Sequence, residues 1–135
     1  MQRRSLIVRS IWAACLLIAA ANHARILLQH GLFWDYGGAG ALSAAYWSLL
    51  TILDPLAAFL LFARPKIGIV STVALIVTNV IHNLAVTAQR APQGAFLDHA
   101  THPILLSQIG FMLFVAVTAR VAWKGTEKSS GPQPL

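Results

Sequence analysis

The sequence predicts an all-α, polytopic membrane protein: a four-transmembrane-helix bundle with both chain termini inside (N-in/C-in). Hydrophobic residues make up 57% of the 135-residue chain and charged residues only 10%, and the mean hydropathy is +0.67. A soluble domain of this size needs a more polar surface. Four apolar segments each have the about 20 residues that a helix needs to cross a hydrocarbon core of about 30 Å.

These four spans cover residues 9–30, 41–63, 67–88 and 104–123. Each is predicted to be a helix, because unpaired backbone groups are costly in lipid and the segments are too long for barrel strands. Together they form one domain, residues 1–125. The tail, residues 126–135, is rich in Ser, Gly and Pro and is predicted to be disordered in the cytoplasm.

The first span also has a second interpretation. A basic start, an apolar stretch over residues 11–21 and the Ala19-x-Ala21 pattern are typical of a cleavable signal peptide. Apolar residues resume at 26–28 and at 32–34, which favours a retained helix. The other three spans keep the same orientation under either interpretation.

The distribution of Lys and Arg predicts the orientation, since cytoplasmic connections carry an excess of both. Basic residues occur at the start of the chain, between the second and third spans, and at its end: Arg3, Arg4, Arg9, Arg64, Lys66, Arg120, Lys124 and Lys128. The other two connections together have one arginine. We therefore predict a multi-pass protein of a cell membrane, with the bacterial cytoplasmic membrane as its location and the lipid bilayer as its surroundings.

Aromatic residues near the span ends fit this orientation, because Trp and Tyr favour both membrane interfaces. One group lies near the predicted outer boundary and a pair near the inner one: Trp34, Tyr36, Tyr46 and Trp47, then Trp12 and Trp123.

Composition and motifs also exclude several classes of protein. The net charge of +6 does not indicate nucleic-acid binding, because the basic residues flank apolar spans and form no clustered surface for phosphates. A single cysteine, Cys15, rules out an intrachain disulfide. We find no nucleotide-binding loop, no recognisable serine-nucleophile motif and no zinc-protease motif, so the sequence favours a protein that is not an enzyme.

Polar residues inside the spans form the candidate functional site. Asn79, His82 and Asn83 are spaced at i, i+3 and i+4 and therefore share one face of the third helix. Counting about 1.5 Å per residue from the middle of each span places several polar side chains near the midplane or in the outer half of the bundle. The candidate ligand-binding layer consists of Asn22, His23, Asp54, Asn79, His82, Asn83 and Gln108.

Two interpretations of this polar layer stay open. Interhelical hydrogen bonds hold membrane helices together, so the layer can serve only to specify which helices are neighbours. A carboxyl group near the bilayer centre, however, costs about 2.5 to 3.5 kcal/mol on insertion scales, so Asp54, followed by Pro55, is a candidate binding or gating group. We further expect His82 to meet the first helix near Asn22 or His23.

The sequence thus favours an accessory or small-molecule-binding membrane protein that needs no cofactor, alone, as a homo-oligomer or with a membrane-protein partner. The alternative is a proton-coupled small transporter, or a protein that binds haem b through His23 and His82, with Asp54 as a further functional group. In the outer stretch "DHATH", His99 and His102 are candidate ligands of a divalent metal ion.

Overall fold

The computed structural model describes residues 2–126, of which 84% are helical and none belongs to a strand. The helices are α1 (Gln2–His30), α2 (Ala41–Ala63), α3 (Pro65–Arg90), α4 (Phe96–Ala100) and α5 (Pro103–Lys124). Four of them, α1, α2, α3 and α5, are long and apolar enough to span a membrane. This confirms the predicted all-α class with four long apolar helices. Residues 127–135 of the predicted disordered tail lie outside the described residues.

Apart from shifts of one or two residues at the ends of α3 and α5, the helices differ from the predicted spans in two respects. α1 begins at Gln2, well before residue 9, because the first turns contain good helix formers such as Arg3 and Arg4, which hydropathy does not register. The short helix α4 lies within the connection between the third and fourth spans, where the sequence indicated no regular structure.

The four long helices surround a common axis in the order α1, α2, α3, α5, since α1 and α3 each pack against both α2 and α5. Both described chain ends lie at one end of the bundle, which we call the near end. We call the opposite end the far end. It contains the connection 31–40 and the α3–α5 connection, which includes α4.

Two side chains of α1 join this helix to α5 at the near end. Ser5 Oγ donates a hydrogen bond of 2.7 Å to the carbonyl of Ala122, in the last turn of α5, where carbonyls have no partner within the helix. Trp12 Nε1 donates a hydrogen bond of 3.1 Å to Thr118 Oγ1. Ser5 and Trp12 have no exposed surface, so Trp12 packs in the protein core at this end of the bundle.

Arg9 supports the turn between α2 and α3. Pro65 has no N–H, so the carbonyl of Leu61, four residues earlier, has no backbone donor. Arg9 Nη1 donates a hydrogen bond of 2.6 Å to this carbonyl. The contact replaces the hydrogen bond that the proline removes and gives a basic residue of α1 a structural role.

The backbones of α2 and α3 lie close together at Gly68. This residue is buried in the first turns of α3, and a Cβ atom there would overlap backbone atoms of Leu60 and Leu61 in α2. Glycine allows helix backbones to approach one another closely because it has no side chain. The packing of α2 on α3 therefore depends on the absence of a side chain at this position.

The outward faces of the long helices are apolar. Large hydrophobic side chains more than half exposed occur on every one of them, including Ile18, Ile52, Phe59, Ile81 and Val117. A water-soluble bundle turns such residues towards its core and places polar residues outside. The arrangement here is compatible with a multi-pass membrane protein.

Candidate functional site

A cavity of about 610 Å³ lies at the far end of the bundle. Its wall contains residues of all four long helices and of both far-end connections. Small-molecule sites in proteins have volumes of about 300 to 1,000 Å³. The cavity is therefore large enough for a small organic ligand.

Four residues of the predicted polar layer line this cavity: Asn22, His23, Asn83 and Gln108. Asn83 is the centre of the group. Its Nδ2 donates a hydrogen bond of 2.6 Å to Gln108 Oε1 in α5, and its Oδ1 accepts one of 2.8 Å from Trp47 Nε1 in α2. One side chain of α3 thus connects three helices at the inner end of the cavity. We call the amide groups of Asn83 and Gln108 the amide floor.

Two other residues of the predicted layer lie behind this floor. Asn79 Oδ1 accepts a hydrogen bond of 3.1 Å from Asn83 Nδ2, but Asn79 does not line the cavity. The ring of His82 packs against Tyr46 and Trp47 of α2, with centroid distances of 4.7 and 5.5 Å. His82 therefore meets α2 and not α1 as expected, because the neighbours of α3 are α2 and α5.

Asp54 is the member of the layer that lies farthest from the cavity. It is buried in α2, with 5% of its surface exposed, and it lies about 10 Å nearer to the near end than Trp47, at about 1.5 Å per residue. The structure therefore separates Asp54 from the residues around the cavity.

The proline after Asp54 affects the preceding turn of α2. Pro55 removes the backbone donor for the carbonyl of Thr51, and the side-chain hydroxyl of Thr51 is buried without a hydrogen-bond partner.

Aromatic rings form one wall of the cavity. Trp34 and Tyr36 of the connection 31–40 and Trp47 of α2 all line it. The ring centroids of Trp34 and Tyr36 are 4.7 Å apart, and those of Tyr36 and Trp47 are 5.0 Å apart. His30 stacks on Trp34 at 3.9 Å. The sequence predicted these rings only as interface residues, whereas the connection folds back and places two of them over the end of the bundle.

Glycine and one strained tyrosine shape this connection. Tyr36 has a φ of 53°, in the left-handed region that favours glycine, and Gly37 and Gly38 also have positive φ. Asp35 Oδ1 accepts a hydrogen bond of 3.0 Å from the Gly37 N–H, as aspartate commonly does in turns. The Gly-Gly pair that follows Tyr36 is typical of a tight turn, but it does not indicate that this turn lies next to the cavity.

Arg90, at the end of α3, attaches this connection to the bundle. Its Nη1 donates a hydrogen bond of 3.4 Å to the carbonyl of Tyr36, and its Nη2 donates one to the carbonyl of Gly37. Arg90 also lines the cavity. The sequence showed it only as an isolated arginine in a far-end connection.

The ionisable groups of the wall, apart from the phenol of Tyr36, are all basic: Arg90, His23, His99 and His102. Among the described residues, no aspartate or glutamate lines the cavity. The cavity wall is therefore an environment for neutral or negatively charged ligand groups.

The described residues do not assemble the predicted metal or haem sites. His99 and His102 line the same cavity, but within residues 2–126 no three His, Cys, Asp or Glu side chains are grouped to hold a metal ion. His102 instead caps α5, with its Nδ1 accepting a hydrogen bond of 3.4 Å from the N–H of Ile104. His23 lines the cavity, whereas His82 does not and packs on Tyr46 and Trp47 of α2.

Two buried polar atoms of the cavity-lining side chains have no hydrogen-bond partner among the described residues: His23 Nδ1 and Tyr36 Oη. A buried polar atom without a partner costs about 1 to 3 kcal/mol.

Comparisons of this chain with protein-family models, with curated proteins and with solved structures find no match. The fold and the site thus describe a bundle of four long apolar helices that contains a cavity at its far end.

Proposed function

We propose that the protein is a multi-pass membrane protein that binds a small molecule in the far-end cavity, by itself or as an accessory to another membrane protein. The cavity carries this proposal: all four long helices contribute to its wall. Mostly apolar walls with a few convergent polar groups are the usual form of small-molecule sites. Here the polar groups are the amide floor and the basic residues, and apolar side chains such as Ile26 and Val86 lie between them.

The open space favours binding over a purely structural role of the polar layer. Hydrogen bonds such as Asn83 to Gln108 are sufficient to join two helices, and they need no cavity beside them. The cavity is open at the far end of the bundle, so a small molecule could enter it and be contacted by side chains of all four long helices.

We propose the N-in/C-in orientation in a bacterial cytoplasmic membrane because the basic residues are concentrated at the near end. Seven described Lys and Arg residues belong to the near-end segments: Arg3, Arg4, Arg9, Arg64, Lys66, Arg120 and Lys124. By the excess of Lys and Arg in cytoplasmic connections, the near end faces the cytoplasm. The cavity then opens on the opposite side of the membrane.

Reporter fusions test this orientation. Alkaline phosphatase, which is active only outside the cytoplasm, is expected to be active when fused after Gln93 and inactive when fused after Lys128. Enzyme activity in whole cells is the measurement, and immunoblots confirm that both fusions are made. Activity of the Lys128 fusion would show that the C-terminal end is outside.

Filling the cavity tests the binding proposal. Val86→Trp places a large ring in the wall, and we expect it to exclude the ligand. The protein is isolated from its membrane in lipid nanodiscs, and small molecules extracted from it are quantified by mass spectrometry. A compound retained by the wild-type protein is expected to be depleted at least about tenfold, which corresponds to about 1.4 kcal/mol of binding free energy.

Ile81→Trp is the matched control for this experiment. Ile81 is also a branched apolar residue of α3, but it is exposed and does not line the cavity. Thermal unfolding of both variants shows whether the bundle is intact. Equal retention of every compound by the wild-type protein and both variants would rule out the cavity as the binding site.

A further inference from the structure

We propose that the cavity selects an anionic amphiphile: a ligand with one acidic group, a carboxylate or a phosphate, on an apolar body about 10 Å long. This inference rests on the proposed function, because it names the class of ligand that the same cavity binds.

The residues that line the cavity change in character from its floor to its mouth. α1 and α3 end at the far end and α5 begins there, so Asn83 and Gln108 lie deepest, Val86 and Ile26 lie in the middle, and Arg90 lies at the mouth. Asn83 and Arg90 are about 10 Å apart along α3, at about 1.5 Å per residue. Arg90 thus lies at the mouth of the wall, apolar side chains lie in its middle, and the amides of Asn83 and Gln108, level with His23 of α1, lie at its floor.

Arg90 is the residue that we expect to bind the acidic group of the ligand. A guanidinium group has five N–H donors, and the contacts with Tyr36 and Gly37 are one from Nη1 and one from Nη2. Among residues 2–126 the remaining donors of Arg90 have no hydrogen-bond partner, and guanidinium groups bind carboxylates and phosphates in a bidentate manner. The carbonyl groups that Arg90 contacts are neutral, and no carboxylate of the described residues forms an ion pair with it.

The histidine at the mouth adds a donor. His102 lines the same wall, and its Nδ1 accepts a hydrogen bond of 3.4 Å from the Ile104 N–H. A neutral imidazole that accepts at Nδ1 has its N–H at Nε2, which can donate to a ligand. A donor in the same wall as an arginine, with no acidic side chain of the described residues in that wall, favours a negatively charged head group.

The middle of the cavity determines the rest of the ligand. Apolar side chains, including Ile26, Val86 and Leu105, line the cavity together with the rings of Trp34 and Trp47. Such a wall gains free energy by covering an apolar chain or a flat ring, in proportion to the apolar area removed from water. A fully polar anion such as inorganic phosphate would leave this surface uncovered.

A series of ligands with one chain length tests the inference. Octanoate, octyl phosphate, octan-1-ol and octylammonium are titrated calorimetrically into the protein in phosphatidylcholine nanodiscs at neutral pH, where the carboxylic acid is ionised. Titrations into empty nanodiscs give the heat of partition, which is subtracted. We expect the two anions to bind at least about tenfold more tightly than the alcohol, a free-energy difference of about 1.4 kcal/mol, and the cation to bind most weakly.

Arg90→Gln is expected to remove the preference for the anions over the alcohol. Arg25→Gln is the control, because Arg25 is an exposed arginine of α1 that does not line the cavity, and it should keep the preference. If the Arg90 variant releases the connection 31–40, the binding of all ligands would weaken together. The ratio of anion to alcohol affinity is therefore the decisive quantity.

Four further outcomes are informative. Competition of octanoate with phosphatidic acid added to the nanodiscs supports a lipid head group as the natural source of the anion, and unchanged octanoate affinity supports a free anionic amphiphile. Binding of octan-1-ol or octylammonium as tight as that of octanoate overturns the inference but leaves the proposed binding function intact. Absence of octanoate binding overturns the inference as well, and the cavity-filling experiment with Val86→Trp then decides the proposed function separately.

Discussion

Gly68→Ala is expected to destabilise the bundle severely, although alanine is the better helix former. The added methyl group would overlap backbone atoms of Leu60 and Leu61, and no change of side-chain rotamer can relieve a contact with backbone. Only one residue, Arg64, lies between α2 and α3, so the two helices cannot separate at this end without rebuilding the turn. We expect a loss of unfolding free energy above the about 1 to 3 kcal/mol of ordinary overpacking.

Gly110→Ala provides the control with the opposite sign. Gly110 lies inside α5, where an added Cβ would have no atom within 4 Å apart from its chain neighbours and the backbone of its own helix. Replacing a helical glycine with alanine then leaves mainly the gain in helix propensity, up to about 1 kcal/mol. Unfolding of both variants in mixed detergent, followed by circular dichroism, measures the difference. A Gly68→Ala protein as stable as Gly110→Ala would contradict the close approach of α2 and α3.

Trp12→Ala is expected to have the second large effect. Trp12 has no exposed surface, and its ring is part of the main hydrophobic core. Truncation of a buried Trp to Ala leaves a cavity and costs about 3 to 5 kcal/mol, and here it also removes the hydrogen bond to Thr118. Trp123→Ala is the control, since Trp123 is a partly exposed tryptophan at the near end of α5. This variant should lose much less unfolding free energy.

The same variant bears on the retention of α1. Cleavage after Ala21 would remove Ser5, Arg9 and Trp12, which hold α1 against α2 and α5. We therefore expect the intact mass of the isolated protein to include these residues. A mature protein that begins after Ala21, and whose stability is unaffected by Trp12→Ala, would show that the first segment is a signal peptide.

Part of the polar layer was predictable and part was not. The spacing of Asn79, His82 and Asn83 predicted a shared face of the third helix, and the structure joins Asn79 to Asn83 by a hydrogen bond. The spacing did not identify the helix that this face would meet. Depth in a membrane depends on distance along one helix, whereas contact depends on the rotation of two helices about their axes. His82, which we expected near Asn22 or His23 of the first helix, therefore packed on α2 instead.

The parts of the site that sequence reasoning missed lie at the far end. Arg90 and Tyr36 are far apart in the sequence, and neither belongs to a known motif. Their contact arises because the last turn of α3 and the connection 31–40 both lie at the far end of the bundle. The positive φ of Tyr36 was also not foreseeable, because tyrosine rarely takes this conformation outside a context that enforces it.

The sequence by itself determined the number of long helices, their approximate ends and the concentration of basic residues at one end of the bundle. These properties are local: the hydropathy of a segment measures how that segment partitions into an apolar phase, without reference to any other segment. Only the tertiary structure decided which helices are neighbours, that Arg9 takes the place of the donor missing at Pro65, and that a cavity remains beside Asn83. Each of these depends on side chains from distant parts of the chain, and Ser5 and Ala122, which are 117 positions apart, form a hydrogen bond that no local pattern encodes.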